Sequence, residues 1–103
     1  LNTMELDTAV RHRLPLLVII SLNGGWTADP ERIKPGRELG YTRFDQMAQA
    51  LGCYGEQVDK AEDIAPALAR AAKAVAQGQV ALLNVVTDWQ ARATTAAFTS
   101  FST

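Results

Sequence analysis

Two uncharged apolar runs frame this chain. PLLVIISL, from Pro15 to Leu22, stops abruptly at Asn23-Gly24-Gly25 with Trp26 behind it, and VALLNVV, from Val80 to Val86, is apolar almost throughout. Runs without polar alternation suit strands covered on both faces, which occur mostly in the parallel sheets of α/β proteins. Helical periodicity fills the rest. Asn2 is a good N-cap, with Glu5 in the capping-box position three residues on; Leu6, Ala9 and Val10 share one face, and Pro15 ends the helix by pushing Leu14 out of the helical region. A second helix is predicted from Thr42, with Asp45 in the box position, Phe44, Met47, Ala48 and Leu51 at i, i+3, i+4, i+7, and Gly52 closing it. A short strand around Tyr54 to Val58 follows. An alanine-rich helix then starts at either Asp59 or Asp63; the later start is preferred because it puts Pro66 in the first turn. Its predicted buried stripe is Ile64, Leu68, Ala71, Ala72 and Val75, and Gly78 terminates it.

The resulting order is helix, strand, long loop, helix, strand, helix, strand. It predicts a three-layer α/β/α doubly wound parallel sheet. A helix that feeds a parallel strand needs an earlier strand to cross over from. The sheet is therefore expected to be incomplete, lacking its first strand, and the chain, which begins at Leu1, reads as a piece of a longer protein. The domain is placed at residues 1–89, with 90–103 a Thr-, Ser- and Ala-rich tail carrying Phe98 and Phe101 that packs as an arm or frays. Residues 27–41 form a long irregular loop. Such loops are uncommon inside compact domains and serve either as lids and binding segments or as solvated excursions.

Composition narrows the classes further. At 103 residues the chain is one domain at most, and it buries a smaller share of its surface than a large domain does. A hydrophobic fraction of 48% with a net charge of −1 argues against disorder and against a nucleic-acid partner held by bulk charge. The run from Leu14 to Ile20 is too short to span a bilayer, and the start lacks a signal-peptide pattern; a soluble, cytoplasmic protein with no membrane partner is expected. Cys53, the single cysteine, cannot form an internal disulfide or, with only His12 beside it, a protein-only zinc site. It reads as a small buried apolar residue.

Few residues can carry chemistry. No G-x-S-x-G elbow, G-x-G-x-x-G turn or P-loop is present. His12, between Arg11 and Arg13, reads as part of a solvated basic cluster, and Glu5 and Asp7, two apart on a helix, point to different sides. Arg32, Lys34 and Arg37 could hold an anionic substrate or a coenzyme A phosphate, or could simply be solvated. Asn23 stands at the carboxyl end of a parallel strand, where ligands sit in open α/β sheets. Asn-Gly is a general turn signal, so a plain strand-ending turn is one reading. The other is a metal site, because a carboxamide oxygen and a main-chain carbonyl are suitable hard ligands for Mg²⁺.

The segments LNTMELDTAVRHRLPLLVIISLNGGW, YTRFDQMAQALGCYGEQVD, AEDIAPALARA and VALLNVVTDW together resemble the C-terminal, diphosphate-binding domain of thiamine diphosphate enzymes of the acetolactate synthase type. The likeness runs from Leu1 to about Trp89. That family's cofactor motif opens with Gly-Asp-Gly after a strand and closes with Asn-Asn; the second Asn corresponds to Asn23, Leu22 replaces the first, and the opening half would lie upstream of Leu1. By this resemblance Mg²⁺ is held by the Asn23 side chain and the Gly25 main-chain oxygen, while Gly24, Trp26, Thr27 and Ala28 complete the cofactor-binding stretch. The thiamine diphosphate so held would serve decarboxylation or carboligation of 2-keto acids, and the loop through Tyr41 would be a candidate lid. The same family implies 2-hydroxyacyl-CoA lyase or 2-keto acid decarboxylase activity as alternatives, and a homodimer or homotetramer as the intact enzyme. Its activating glutamate belongs to another domain, so Glu5 is not that residue, and the piece alone would be inactive. A small, non-catalytic α/β interaction domain remains the reading from another class.

Overall fold

The computed structural model describes residues 2–26 and 35–91. In chain order the elements are α1 (Met4–Arg11), β1 (Leu17–Leu22), α2 (Phe44–Ala50), β2 (Tyr54–Val58), a 3-10 turn (Ala61–Asp63), α3 (Ile64–Ala76) and β3 (Ala81–Val86). The strands form one parallel sheet in the order β1-β3-β2. β3 pairs with β1 from Leu17↔Ala81 to Leu22↔Val86 and with β2 from Tyr54↔Ala81 to Val58↔Val85.

That order explains the layers. The chain steps from β1 past one strand position to β2, then reverses to insert β3 between them. Parallel crossovers share one hand, so a reversal of direction sends the two connecting helices to opposite faces. α1 and α2 accordingly pack on one face, where Leu6, Ala9, Ala48, Cys53, Val80 and Leu82 form a core. α3 packs on the other, with Val58, Ala67, Ala71, Ala81 and Leu83. The expected three-layer α/β/α arrangement is present, around a sheet of three strands among the described residues.

Burial departs from expectation in β1. Both apolar runs predict strands covered on both faces, and β3 is one: Ala81 to Asn84 are all buried. β1 instead lies at the edge of the described sheet, with Leu17 38% and Ile19 53% exposed. Its other side chains, Val18 and Ile20, pack toward α1. The cause is α3, which lies mainly over β2 and β3 and leaves that face of β1 partly open, with an apolar cleft of about 200 Å³ between Ile19, Leu68 and Leu83. Among the described residues no helix is long and apolar enough to cross a membrane.

The helix ends follow local chemistry closely. Asn2 accepts the Met4 N–H at 3.1 Å, so it caps α1 as expected, although the regular helix begins at Met4. α2 begins at Phe44, two residues after Thr42, and the Asp45 carboxylate is held by Arg43 with two hydrogen bonds of 2.9 and 2.7 Å. α3 starts where the Asp63 reading places it, with Pro66 in the first turn. Its buried stripe is Ala67, Ala71 and Ala74, while Ala72 is exposed and Ile64 is 36% exposed. The helix presents its small residues because it lies close against the sheet; the predicted stripe was rotated toward the bulkier side chains.

All three helices close with the same paired bonds from C″ to C3 and from C′ to C2. They are Leu14 N to Ala9 O and Arg13 N to Val10 O in α1, Cys53 N to Ala48 O and Gly52 N to Gln49 O in α2, and Gln79 N to Ala74 O and Gly78 N to Val75 O in α3. The motif needs a left-handed residue at C′, which Gly52 and Gly78 supply at no steric cost; in α1 it is Arg13, at φ 54°. Another glycine sets how closely the layers approach. A β-carbon on Gly55 of β2 would overlap the Asp45 main-chain oxygen and carbon of α2.

Two charge groups flank the sheet. Asp45 is 1% exposed, and the Arg43 guanidinium holds its carboxyl below the usual carboxylate range. Glu56 on β2 is held low by Arg70 of α3, and it also accepts the Tyr54 hydroxyl at 2.6 Å. Cys53 is buried, and burial pushes its thiol up, as expected of an inert core residue.

Three outcomes are expected. Arg13→Gly removes a left-handed strain of about 1–2 kcal/mol against a glycine entropy cost of about 0.5–1 kcal/mol. Urea denaturation should therefore show a net stabilisation of about 0.5–1 kcal/mol. Gly55→Ala should destabilise by roughly 1–3 kcal/mol through overpacking between α2 and β2, read in the same denaturation series. The folded-state pKa values of Asp45 and Glu56 lie below their unfolded values of about 3.9 and 4.3, so their stabilisation is complete above those values and is lost as pH falls through the folded ones. Arg43→Ala removes the Asp45 share, and circular dichroism should show acid unfolding at a higher pH than in the parent.

Candidate functional site

β1 and β3 end side by side, and their ends are tied together. The Thr87 N–H donates to the Leu22 carbonyl at 2.9 Å, and the Ser21 and Thr87 hydroxyls lie 3.3 Å apart. β1 therefore delivers Asn23, Gly24 and Gly25 to the carboxyl edge of the sheet on a fixed support.

The three residues fold tightly. Asn23 Oδ1 accepts the Gly25 N–H at 3.2 Å, an Asx turn of the kind asparagine favours. Gly24 lies in the left-handed region at φ 74°, and a β-carbon there would meet the Tyr41 ring at 2.6 Å. Only glycine fits both conditions. Tyr41 belongs to a strap, residues 37–42, that crosses the turn. Trp26 N donates to Arg37 O at 2.8 Å, and Leu39 N and Gly40 N both donate to Gly24 O, at 2.9 and 3.1 Å.

This bonding separates the two glycine carbonyls. Gly25 and Glu38 form an antiparallel bridge whose hydrogen bonds belong to the residues on either side, so the N–H and C=O of Gly25 point away from the strap. The N–H goes to Asn23. The Gly25 carbonyl accepts no hydrogen bond among the described residues, whereas Gly24 O has both lone pairs engaged.

Around the turn is a cavity of about 110 Å³, lined by Leu22, Asn23 and the two glycines on one side and by Leu39, Gly40, Thr42 and Phe44 on the other. Trp26, the next residue in the chain after Gly25, is 63% exposed. Among the described residues no group of three or more His, Cys, Asp or Glu side chains could hold a metal.

Of the residues singled out from sequence, Asn23, Gly24, Gly25 and Trp26 are brought together here. Thr27, Ala28, Arg32 and Lys34 lie outside the described residues, as does most of the suggested lid. Arg37 is half-buried, its carbonyl bonded to Trp26. Glu5 on α1 and His12 just beyond its end are exposed. From sequence, Tyr41 marks only a loop end and Thr42 only a helix start, and Asn84 is not singled out. Asn84, fully buried on β3, donates from Nδ2 to the Thr42 carbonyl at 3.0 Å and so secures the strap where it enters α2. Its signal was present as the one polar residue in VALLNVV.

Residues 1–85 match the family described as thiamine pyrophosphate enzyme, C-terminal TPP binding domain. The chain is 35% identical to an acetolactate synthase large subunit of Mycobacterium tuberculosis, with 82% of the chain and 16% of that protein covered. It is 35% identical to a 2-hydroxyacyl-CoA lyase 2 of Caenorhabditis elegans, covering 82% and 15%, and 35% identical to a sulfoacetaldehyde acetyltransferase of Alcaligenes xylosoxydans xylosoxydans, covering 69% and 13%. The chain thus spans about a sixth of the length of these relatives. It belongs to the C-terminal, cofactor-binding domain family of the thiamine pyrophosphate (thiamine diphosphate) enzymes.

Proposed function

We propose that this chain is the cofactor-holding part of an acetolactate synthase-like enzyme that decarboxylates and joins 2-keto acids, and that the Asn23 side chain and the Gly25 main-chain oxygen anchor the Mg²⁺ that carries the diphosphate. The observation that carries the anchor assignment is the difference between the two glycine carbonyls: Gly24 O is consumed by the strap, and Gly25 O is left over at the edge. Mg²⁺ usually takes few protein ligands and completes its shell with water and phosphate oxygens, so two neutral oxygens beside a small cavity fit it better than a softer metal.

When bound, thiamine diphosphate supplies a thiazolium that acts as electron sink for carbon–carbon bond cleavage and formation. The chain's own contribution is placement. The Asx turn and the strap keep Asn23 and Gly25 in one rigid unit, which spares the ordering cost of gathering two ligands from mobile chain. Leu22, 8% exposed, puts an apolar side chain at the base of the cavity, and Trp26, with Thr27 and Ala28 beyond it, continues the stretch assigned to the cofactor.

Synthase, lyase and acetyltransferase relatives share the same 35% identity, so the domain selects the cofactor and leaves the choice among these reactions to the rest of the protein. A 2-hydroxyacyl-CoA lyase or 2-keto acid decarboxylase is the second reading on the same cofactor. A homodimer or homotetramer, in the cytoplasm, completes the proposal.

Calorimetric titration of thiamine diphosphate into the intact enzyme with Mg²⁺ tests the anchors. Asn23→Ala should weaken binding about tenfold or more, at least roughly 1.4 kcal/mol, and raise the Mg²⁺ concentration needed for saturation. Binding unchanged in Asn23→Ala would sink the assignment.

A further inference from the structure

Asn84 is anomalous. It sits in the middle of the central strand, fully buried, between Leu83 and Val85 in sequence and opposite Ile20 in register. Its Nδ2 donates to the Thr42 carbonyl at 3.0 Å and makes a long approach of 3.4 Å to Gln57 Oε1. Its Oδ1 is buried and finds no partner among the described residues. A half-satisfied buried amide is a worse choice for stability than an apolar side chain of similar shape, because the orphaned acceptor loses water and gains nothing. Sequences that break a packing rule in this way tend to do so at functional sites.

We infer that Asn84 is a positioning residue for the cofactor edge, acting through the strap. Its one good hydrogen bond ends on Thr42, the residue after Tyr41 and the last of the strap before α2. Tyr41 packs on Gly24, and Leu39 and Gly40 hold the Gly24 carbonyl. Gly24 lies between the two proposed metal anchors. The core of the sheet thereby reaches the Asn23–Gly25 turn by a continuous path: β3 side chain, Thr42 main chain, Tyr41 ring, Gly24. Without Asn84 the strap loses this side-chain tie to the sheet, so that its bonds to the turn open more often and the turn is held less tightly. The inference rests on the reading of Asn23 and Gly25 as anchors.

The test separates the turn from the ligand. In the full chain without ligand, amide hydrogen exchange followed by NMR reports the Leu39, Gly40 and Trp26 N–H groups, which make the strap-to-turn bonds. Asn84→Leu should speed their exchange tenfold or more while the β3 amides stay as protected as in the parent, and should leave the urea midpoint equal or higher. The affinity for Mg²⁺–thiamine diphosphate, measured in the intact enzyme, should fall about tenfold in Asn84→Leu. Asn23→Ala, run alongside, should lower that affinity without touching β3.

Unchanged exchange at the three amides overturns the proposal. So does faster exchange with undiminished affinity in Asn84→Leu while Asn23→Ala still weakens binding. Asn84→Val, a smaller replacement, guards against overpacking; loss of β3 protection in both variants assigns Asn84 to the fold and overturns the positioning role. Full affinity in Asn23→Ala overturns the anchor reading, and with it this extension, on separate grounds.

Discussion

The insertion of β3 between β1 and β2 is the constraint on which the rest of this structure depends. Two parallel crossovers of one hand that run in opposite directions must place α2 and α3 on opposite faces, and the central strand must then be apolar on both sides. β3 meets that demand at every position from Ala81 to Leu83, and it carries the registers of both neighbours. The same insertion sets the ends of β1 and β3 together, so that Thr87 can bond to Leu22 and support the turn that follows.

The turn itself works by elimination of alternatives. Gly24 has a carbonyl with two donors, a left-handed backbone and an aromatic ring where a side chain would be, which leaves it no freedom. Gly25, one residue on, is held by its N–H and its neighbours while its carbonyl faces outward. Adjacent glycines are thus held differently, one with its carbonyl doubly bonded and one with its carbonyl unbonded among the described residues. Stability in the surrounding frame comes from close approach: small residues on α3 and Gly55 on β2 let helices lie near the sheet.

Much of this was legible beforehand. The three parallel strands, the Asn2 cap, the Gly52 and Gly78 stops and the early Pro66 in α3 follow from local chemistry acting within a few residues, which tertiary packing has little reason to overrule. The resemblance carried by LNGGW and the segments after it reached the family. The misses were of another kind. Asp45 matched a capping box and is instead bound to Arg43, because a guanidinium two residues away competes better for a carboxylate than a backbone N–H does. Ala72 matched the helical stripe and faces solvent, since the sheet selected the smallest face of α3 in place of the most apolar one.

What the sequence by itself determined is the set of elements, their parallel arrangement and the glycine turn at the end of β1, because periodicity, caps and turn residues act over short distances. Only the tertiary structure decided that β1 lies at the edge of the described strands, that Tyr41 closes on Gly24, that Gly25 and not Gly24 keeps a carbonyl without a hydrogen bond among the described residues, and that Asn84 ties the strap to the sheet. Each of these joins residues far apart in the chain: Glu38 lies 13 positions beyond Gly25, Tyr41 17 beyond Gly24, Asn84 42 beyond Thr42, and Ala81 64 beyond its partner Leu17. Their pairing is set by strand order and layer spacing, which no local pattern encodes.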